Sequence, residues 1–406
     1  MIKTEWKIAS AACCLLATLQ CSLPAAAAEE IEPIRIGVLL IMSGPMAGYG
    51  KHGSQAVQLA LDEINSKGGM LGRKVIAIIE DDRMKPEVGV EVFNKFINHY
   101  KVDFVIGPTS SAVAAAIVDR AEANKKILVL TQAAASSLTD AKFNPYVFST
   151  LSNAMMHARA GAHFMAPKGY KRWMTIGPDY AYGHESWASF SSKLKNMQPD
   201  VELVGELWPK LMEKNYAPFI QKLLEEKPDA VWSSLWGNDA VNFIKQALPT
   251  GLFDKVKFSF ADGAALETLV PLGKEMPNGI FLSARYFFLT PDTMMNKNFV
   301  RAYHERYNEY PDYMAEETYA GVYFIKAAVE RAGTTDSPSL IKAVEREPLA
   351  WETPEGWKIM RGDDHSVVED VLWGESSFSS KYGFAIIKNT QSIQAEEICR
   401  TPDELN

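Results

Sequence analysis

The sequence predicts an α/β protein built on two open sheets of mainly parallel strands. Apolar runs of strand length alternate with amphipathic stretches of helix length, which is the β-α-β-α order that right-handed crossovers between parallel strands produce. The alternation stops after Thr131 and restarts at Arg172, so two sheets of similar composition fit better than one long sheet. At 406 residues, the chain also exceeds the usual size of a single hydrophobic core.

The first half of the chain contains four apolar runs, each followed by polar or small residues and then by an amphipathic stretch. The predicted strands are Ile34–Met42, Val75–Glu80, Asp103–Gly107 and Ile127–Thr131. The predicted helices are Tyr49–Lys67, Pro86–Tyr100 and Ala112–Lys125. The second of these helices has proline in its first turn, where the missing N–H costs nothing.

The second half repeats this pattern and then changes. The predicted strands are Arg172–Gly177, Val201–Gly205, Ala230–Ser234 and Lys257–Phe260. The predicted helices are Tyr182–Asn196, Ala217–Glu226, Asp239–Leu248, Met295–Tyr310 and Met314–Arg331, followed by a strand-rich segment from Trp357 to Ile387. If the C-terminal part of the sequence returns to the first domain, several segments connect the two domains and form a hinge. A cleft between two open α/β sheets is a natural ligand site.

The N-terminus has the pattern of a secretory signal peptide. Lys3 and Lys7 precede the apolar run Ile8–Leu19, and small residues lead to a cleavage site near Ala28. A run of about 12 apolar residues is too short to span a bilayer, which requires about 20. We therefore expect export to the periplasm, with lipoprotein anchoring through Cys21 as the less favoured alternative.

Composition and motif content argue against several other classes of protein. The chain carries 42 Lys and Arg against 50 Asp and Glu, a net charge of −8 without a basic patch, which argues against nucleic-acid binding. Cys399 is the single cysteine left after signal cleavage, so no internal disulfide is expected. The mature sequence has neither H-x-x-x-H nor C-x-x-C, and its carboxylates lack calcium-loop spacing. We predict neither a metal nor a cofactor.

A glycine pattern follows the first predicted strand. Gly48, Gly50 and Gly53 satisfy G-x-G-x-x-G, but no acidic residue stands where a dinucleotide site would bind the ribose. A turn that opens a helix explains these glycines better than a nucleotide site. A further alternative is a loop that brings Tyr49 into a cleft.

Hydroxyl groups follow two neighbouring strands. In GPTSSAVAAA, Ser110 and Ser111 stand at the start of a helix, where a hydroxyl can cap free N–H groups or bind an anion. The segment lacks the second glycine of a nucleophile elbow, and no histidine has a recognisable triad context. Ala133 and Ser136 follow the next strand, so the two strand ends together predict a pocket for a carboxylate. A secreted serine hydrolase using Ser110 or Ser111 remains the alternative from another class.

Aromatic and acidic residues follow the strands of the second half. Tyr180, Tyr182 and Trp236 fall where the second sheet would face the first, which predicts an apolar wall around a ligand. Asp262 follows a further strand, where it is either a turn residue or a partner for a ligand ammonium group.

These segments resemble a known family. The opening IRIGVLLIMSGPMAGYGKHG, together with GPTSSAVAAA, PDYAYG and TPEGWKIMRGDDHS in this order, is similar to the periplasmic binding proteins that serve ABC importers of leucine, isoleucine and valine. The resemblance covers nearly all of the mature chain. It implies a type I periplasmic binding protein fold, with two Rossmann-like lobes of parallel sheets joined by a three-segment hinge, and it implies no catalysis.

The resemblance also implies roles for individual residues. Tyr49 matches an aromatic residue against the ligand, Ser111 matches the hydroxyl that binds the ligand carboxylate, and Ser110 lies beside it. Ala133 matches a backbone contact to the carboxylate, and Ser136 would replace a threonine that is missing because Ala135 occupies its place.

The second-lobe residues are carried over in the same way. Tyr182 and Trp236 match aromatic residues of the family, Tyr180 is a further candidate, and Asp262 matches the acid that meets the ligand amine. The disulfide of the best-known members is absent, with Met84 and Ser110 in its positions.

The prediction is therefore a periplasmic solute-binding protein. It would capture a small carboxylate-bearing solute, an amino acid with a branched or aromatic side chain first of all, and act as a monomer that delivers it to an inner-membrane ABC permease. An aromatic carboxylate without an amine, an amide or urea-like solute, and a ligand-sensing module are the alternatives. The predicted division is a signal peptide at 1–28, lobe 1 at 29–149 and 281–355, lobe 2 at 150–280 and 356–395, and a tail at 396–406.

Overall fold

The computed structural model describes residues 32–405. The predicted signal peptide at 1–28, with Cys13, Cys14 and Cys21, lies outside the described residues. The chain from Pro33 onward forms one compact unit. Among the described residues, no helix combines the length and the hydropathy needed to cross a membrane.

The described chain alternates strands and helices along most of its length. The strands are β1 (Ile34–Leu40), β2 (Val75–Asp81), β3 (Phe104–Ile106), β4 (Ile127–Leu130), β5 (Val147–Ser149), β6 (Arg172–Ile176), β7 (Glu202–Leu207), β8 (Ala230–Ser233), β9 (Lys257–Phe260), β10 (Phe281–Ala284), β11 (Leu349–Thr353), β12 (Gly356–Met360), β13 (Val367–Val368), β14 (Val371–Ser379) and β15 (Phe384–Ile393). The helices are α1 (Ala47–Ser66), α2 (Pro86–Lys95), α3 (Ser111–Ala123), α4 (Ala154–Met165), α5 (Ala181–Met197), α6 (Ala217–Glu226), α7 (Gly237–Ala247), α8 (Leu252–Lys255), α9 (Leu266–Leu272), α10 (Met294–Tyr307), α11 (Tyr313–Ala332), α12 (Ser337–Arg346), α13 (Ala395–Ile398) and α14 (Pro402–Leu405).

The first lobe is built on a five-stranded sheet in the order β2-β1-β3-β4-β5. All of its neighbouring strands are parallel. Strands β3, β4 and β5 are buried at every position, as expected where helices cover both faces of a parallel sheet. The late helix α11 also packs on this lobe, because Tyr319 and Tyr323 donate hydrogen bonds to Glu63 of α1 at 2.5 and 2.8 Å.

The second lobe is built on a seven-stranded sheet in the order β15-β14-β10-β9-β8-β6-β7. Its central strands are parallel, whereas β14 runs antiparallel to both β10 and β15. The fully buried indoles of Trp173, Trp232 and Trp373 lie in the core under α4 and α5. The antiparallel pair at the edge belongs to the predicted strand-rich segment.

The chain passes between the lobes three times, as the predicted hinge requires. It leaves the first sheet after β5, returns to the first lobe after β10, and enters the second sheet again at β14. A small antiparallel sheet, β11-β12-β13, precedes the last passage. These passages confirm the predicted α/β fold class with two lobes.

Two strand pairings in the structure disagree with the lobe boundaries predicted from the sequence. The predicted boundary at 281 assigns β10 to lobe 1, but β10 pairs with β9 and β14 in the second sheet. The predicted boundary at 356 separates β11 from β12, but these strands pair with each other. We therefore propose boundaries after Ala284 and after Val368.

Candidate ligand-binding cleft

A cavity lies between the two lobes, where the carboxyl ends of the strands of both sheets meet. Its lining combines aromatic rings with hydroxyl, amide and charged groups: Tyr49, Thr109, Ser111, Gln132, Ala134, Tyr180, Tyr182, Trp236, Asp262, Arg285, Tyr313 and Met314. Six of the nine residues predicted from the sequence are in this set. Ser110, Ala133 and Ser136 are not.

Ser111 presents a hydroxyl from the first turn of α3. Its Oγ accepts a hydrogen bond from the Ala135 N–H at 3.1 Å, which leaves the hydroxyl proton free to donate to a ligand. Beside it, Thr109 donates to the Oε1 of Gln132 at 2.8 Å, which fixes the orientation of that amide. The N-terminus of α3 adds a partial positive charge, so this corner of the cavity suits an anion.

The neighbouring serine has a structural task. Ser110 is the N-cap of α3, and its Oγ accepts a hydrogen bond from the Ala112 N–H at 3.2 Å. That bond satisfies one of the free N–H groups at the start of the helix. Ser110 is therefore the capping hydroxyl of this pair, and Ser111 is the hydroxyl that faces the cavity.

The segment after β4 contributes one residue later than the sequence predicted. Ala134 lines the cavity, whereas Ala133 is buried beside it. Ser136 begins a 3-10 turn, and its Oγ accepts a hydrogen bond from the Met155 N–H at 2.9 Å. The turn directs this hydroxyl to the chain that follows β5, away from the cavity.

Aromatic rings from both lobes meet across the cleft. The rings of Tyr49 from α1 and Trp236 at the start of α7 pack edge to face, with centroids 5.2 Å apart. Tyr180 and Tyr182 lie together on the second lobe with centroids 6.1 Å apart. Gly237 permits the approach of Tyr49, because a Cβ there would lie 2.7 Å from the Tyr49 hydroxyl oxygen. Its φ of +52° is also a conformation that glycine adopts readily.

Asp262 lines the cavity, but a cation of the protein already pairs with it. Its Oδ2 accepts hydrogen bonds from Nη2 of Arg285 at 2.7 Å and from the hydroxyl of Tyr182 at 3.1 Å. Its Oδ1 lies 3.2 Å from Nδ1 of His157. Burial alone would raise the pKa of Asp262, but Arg285, His157 and the hydrogen bonds together lower it below its ordinary value.

Arg285 is the main functional candidate that the sequence reading missed. It is 4% exposed, lines the cavity, and its guanidinium lies 5.0 Å from the ring centroid of Tyr313. Its Nη1 is 3.6 Å from Oε2 of Glu317, whose pKa burial raises well above the ordinary value. The signal in the sequence was its position directly after β10, the same place after a strand that identified Asp262 and Trp236.

Ser152, His157 and Asp262 form a row of buried side-chain contacts beside the cavity. Oγ of Ser152 lies 2.8 Å from Nε2 of His157, and Nδ1 of the same ring faces Asp262 and the Ser283 Oγ. Burial lowers the pKa of His157 to about 4, so the ring is neutral at pH 7. Ser152 is 1% exposed and does not line the cavity. The contacts of Ser152 and His157 therefore fix the orientation of the Asp262 carboxylate.

The glycine pattern after β1 serves helix packing. Gly48, Gly50 and Gly53 all lie inside α1, and a Cβ at Gly50 would lie 1.9 Å from the carbonyl oxygen of Ile41. Close contact between α1 and the end of β1 places Tyr49 in the cleft. The arrangement agrees with the alternative in which this segment presents Tyr49.

The cleft is closed. The free space between the lining residues is about 30 Å³, which is room for about two water molecules. Contacts between the lobes surround it, including a hydrogen bond of 2.8 Å from Asn238 to the Pro45 carbonyl oxygen. A small organic ligand can enter only when the lobes or the lining rings move apart, which is the hinge motion of two-lobed binding proteins.

Comparison with known proteins now identifies the family. Residues 33–379 match the family model for a periplasmic binding protein. The chain belongs to the periplasmic binding protein family. It is 26% identical to a Leu/Ile/Val-binding protein of Rhizobium johnstonii over 378 residues, which cover 92% of this chain and 96% of the relative.

Two solved structures of solute-binding proteins of ABC transporters from Rhodopseudomonas palustris share the fold. One, in complex with 3,4-dihydroxybenzoic acid, has a TM-score of 0.80 and 24% identity, covering 92% of this chain and 99% of the other. The second, in complex with 4-hydroxybenzoate, has a TM-score of 0.81 and 20% identity, covering 89% and 97%. Together with the family match, these structures confirm the type I fold.

Proposed function

We propose that this periplasmic binding protein captures an aromatic carboxylate in the cleft and delivers it to an ABC permease. The observation that carries the proposal is the ion pair between Arg285 and Asp262 inside the cavity. Because Arg285 already neutralises Asp262, the cleft offers no unpaired carboxylate to a ligand ammonium group. A ligand ammonium group would have to share Asp262 with Arg285, whereas the Ser111 hydroxyl proton and Nε of Arg285 are donors left for an anion.

A ligand carboxylate finds donors in the same cleft. The Ser111 hydroxyl proton is free, and Nε of Arg285 is buried without a hydrogen-bond partner. Nη2 of Arg285 donates to Asp262 and Nη1 donates to the Gln132 carbonyl oxygen at 3.3 Å, so Nε offers a ligand carboxylate one charge-assisted hydrogen bond, which is stronger than a neutral one. These groups together form the proposed anion-binding corner.

The remaining lining suits a flat, apolar ligand body. Tyr49, Trp236, Tyr180 and Tyr313 present ring faces and edges, which stack favourably on an aromatic ligand. The Tyr49 hydroxyl is buried without a hydrogen-bond partner, so it can bond a hydroxyl on the ligand ring. The two Rhodopseudomonas structures are complexes with hydroxylated benzoates, which supports the same ligand class.

An amino acid is the second candidate ligand. Asp262 lines the cavity at the position where the resemblance implies an amine contact, and the Rhizobium relative is named a Leu/Ile/Val-binding protein. This alternative requires the ligand ammonium group to share Asp262 with Arg285. In either case the ligand leaves unchanged, and we propose that the protein acts as a monomer in the periplasm, without catalysis.

Isothermal titration calorimetry separates the two ligand classes. The full mature chain is unfolded and refolded to remove retained ligand, then titrated with 4-hydroxybenzoate, benzoate, L-phenylalanine and L-leucine. We expect an aromatic acid to bind at least about a hundredfold more tightly than either amino acid, a difference of about 2.7 kcal/mol. Tighter binding of leucine or phenylalanine would contradict the proposal and support the second candidate.

A further inference from the structure

A second group of side chains that could bind a ligand lies between the lobes, near the N-terminal end of α1. His52 belongs to α1, Glu267 to α9, and Glu309 and Asp312 to the segment between α10 and α11. His52, Glu267 and Asp312 each offer one ligand atom, and these atoms lie within 4.8 Å of one another. Nε2 of His52 is 3.6 Å from Oε1 of Glu267 and 3.8 Å from Oε2 of Glu309. The two lobes therefore contribute to one cluster.

The histidine of this cluster lacks a hydrogen-bond partner. His52 is 8% exposed, and its Nδ1 is fully buried without a partner. Its Nε2 faces the two glutamates from beyond hydrogen-bond distance. Oε2 of Glu309 is also buried without a partner. Buried polar atoms are nearly always satisfied, so Nε2 of His52 and the unpartnered Oε2 of Glu309, which face each other at 3.8 Å, indicate an additional ligand between them.

The Asp312 carboxylate is held in place by backbone N–H groups, and Glu267 lies close to the backbone of α1. Oδ1 of Asp312 accepts from the Tyr313 N–H at 2.7 Å, and Oδ2 accepts from the Glu267 N–H at 3.4 Å, so this residue caps helices of both lobes. Gly48 lets the Glu267 carboxylate lie against α1, because a Cβ there would be 2.6 Å from its oxygens. Outer contacts of this kind orient the ligands of a metal site.

We propose that His52, Glu267 and Asp312 bind a divalent transition-metal ion, with Glu309 as a further ligand. One imidazole nitrogen with carboxylate oxygens is a ligand set that zinc accepts, whereas calcium and magnesium prefer oxygen alone. The ion adds positive charge where carboxylates outnumber Lys51, which pairs with Glu309 at 2.5 Å.

The metal would act as a clip between the lobes. Glu267 comes from the second lobe and the other ligands from the first, so the complete ligand set exists only when the cleft is closed. Binding equilibria that share one conformational change are reciprocal. Zinc is therefore expected to raise the affinity of the cleft for its organic ligand, and the ligand to raise the affinity for zinc by the same factor.

The test measures zinc binding without an organic ligand, so its result does not depend on the proposed function. The full mature chain is treated with chelator and titrated with ZnCl₂ by calorimetry, and the stoichiometry is counted by native mass spectrometry. We expect one ion per chain, with affinity reduced at least about tenfold in His52→Gln and in Glu267→Gln. Calcium and magnesium are expected to bind more weakly than zinc.

His184→Gln is the matched control, because His184 is half-exposed and lies 2.8 Å from a single carboxylate oxygen of Asp179. It should bind zinc as the wild type does. Circular dichroism checks that each variant is folded, and Glu267→Gln, whose side chain is 26% exposed in the wild type, is the variant least dependent on buried packing. No zinc binding by the wild type, or equal affinity in wild type and both cluster variants, would overturn the proposal.

Discussion

Arg285 and Asp262 form the residue pair on which the proposed ligand class depends. Both side chains are at most 4% exposed, and their contact is 2.7 Å. A buried ion pair gains little over an apolar substitute, but removal of one partner leaves the other charge buried and unpaired. The pair is therefore fixed within the fold, and its charge balance determines which charged groups a ligand can bring into the cleft.

The first prediction concerns this pair. Arg285→Gln should lower the free energy of unfolding by about 3 kcal/mol, because Asp262 loses its cation. The double variant Arg285→Gln, Asp262→Asn should recover part of the loss. Urea unfolding measures both, with Arg306→Gln as the control, since Arg306 pairs with Asp62 at an exposed position. A loss of at most about 1 kcal/mol is expected for the control, and an equal loss in Arg285→Gln would contradict the account.

The pH dependence of stability offers a second check on Asp262. Its pKa in the folded protein is lowered, so its contribution to stability is present above the pKa of the unfolded chain and is lost as the pH falls through the folded value. Asp262→Asn should remove that acid-sensitive contribution. Unfolding free energies measured from pH 7 downward should therefore fall less steeply in the variant, and identical slopes would contradict the lowered pKa.

Gly237 provides a prediction about closure. Gly237→Ala adds a methyl group 2.7 Å from the Tyr49 hydroxyl oxygen, and it also carries the cost of a left-handed conformation, about 1 kcal/mol. Gly333→Ala carries the same backbone cost at φ +66° with no atom within 4 Å of the new Cβ. Both should lower stability similarly by thermal unfolding. Only Gly237→Ala should weaken ligand binding. Equal ligand affinities of the two variants in calorimetry would show that close contact between Tyr49 and Gly237 is not needed for binding.

Six residues that line the cleft could be predicted from the sequence because the ends of the strands can be recognised in it. Ser111, Trp236 and Asp262 each follow an apolar run, and the carboxyl ends of parallel strands meet at one edge of a sheet. Arg285 was missed because β10 was not predicted as a strand, so no strand end was assigned at Ala284. The direction of the Ser136 hydroxyl depends on a 3-10 turn, which no spacing of apolar residues predicts.

At the scale of elements, α5 and the turn after β4 join the two lobes. The Glu185 carboxylate accepts hydrogen bonds from the Ser136 N–H at 2.6 Å and from the Ser137 hydroxyl at 2.6 Å. A second bond from the Ser137 N–H is 3.3 Å long. Charge-assisted bonds of this kind form only when the lobes are closed, so they stabilise the closed cleft.

The contacts of Glu185 with Ser136 and Ser137 lead to a prediction about closure of the cleft. Glu185→Gln keeps the size of the side chain but removes its charge, so the closed form should lose about 1.4 kcal/mol and ligand affinity should fall about tenfold. The free energy of unfolding should change little. Glu122→Gln, an exposed residue on α3, is the control. Unchanged ligand affinity in Glu185→Gln would mean that the contacts of Glu185 do not contribute to closure.

Most elements followed from hydrophobic periodicity, and the exceptions have physical reasons. β5 has three residues of which only Val147 and Phe148 are apolar, whereas the equally short β3 is apolar throughout. The helix α4 is rich in alanine, and its partly exposed face is narrow, formed by Met155, Arg159 and His163, so only two polar residues mark its helical period. Pairing partners such as β11 with β12 are tertiary facts, and the sequence alone placed a lobe boundary between them.

At the scale of the whole molecule, two sheets with three passages between them create a cleft that can open and close. Tyr49 and Trp236 come from opposite lobes and touch each other, so closure brings the aromatic wall together with the anion-binding corner of Ser111 and Arg285. Ligand binding and closure of the hinge are therefore coupled, because both involve the residues that line the cleft.

The most direct measurement is a crystal structure of the full mature chain grown with 4-hydroxybenzoate. The account predicts the carboxylate within hydrogen-bond distance of Arg285 and Ser111, the ring between Tyr49 and Trp236, and Asp262 still paired with Arg285. A ligand bound outside the cleft, or a ligand in the cleft with its carboxylate directed away from Arg285, would contradict it.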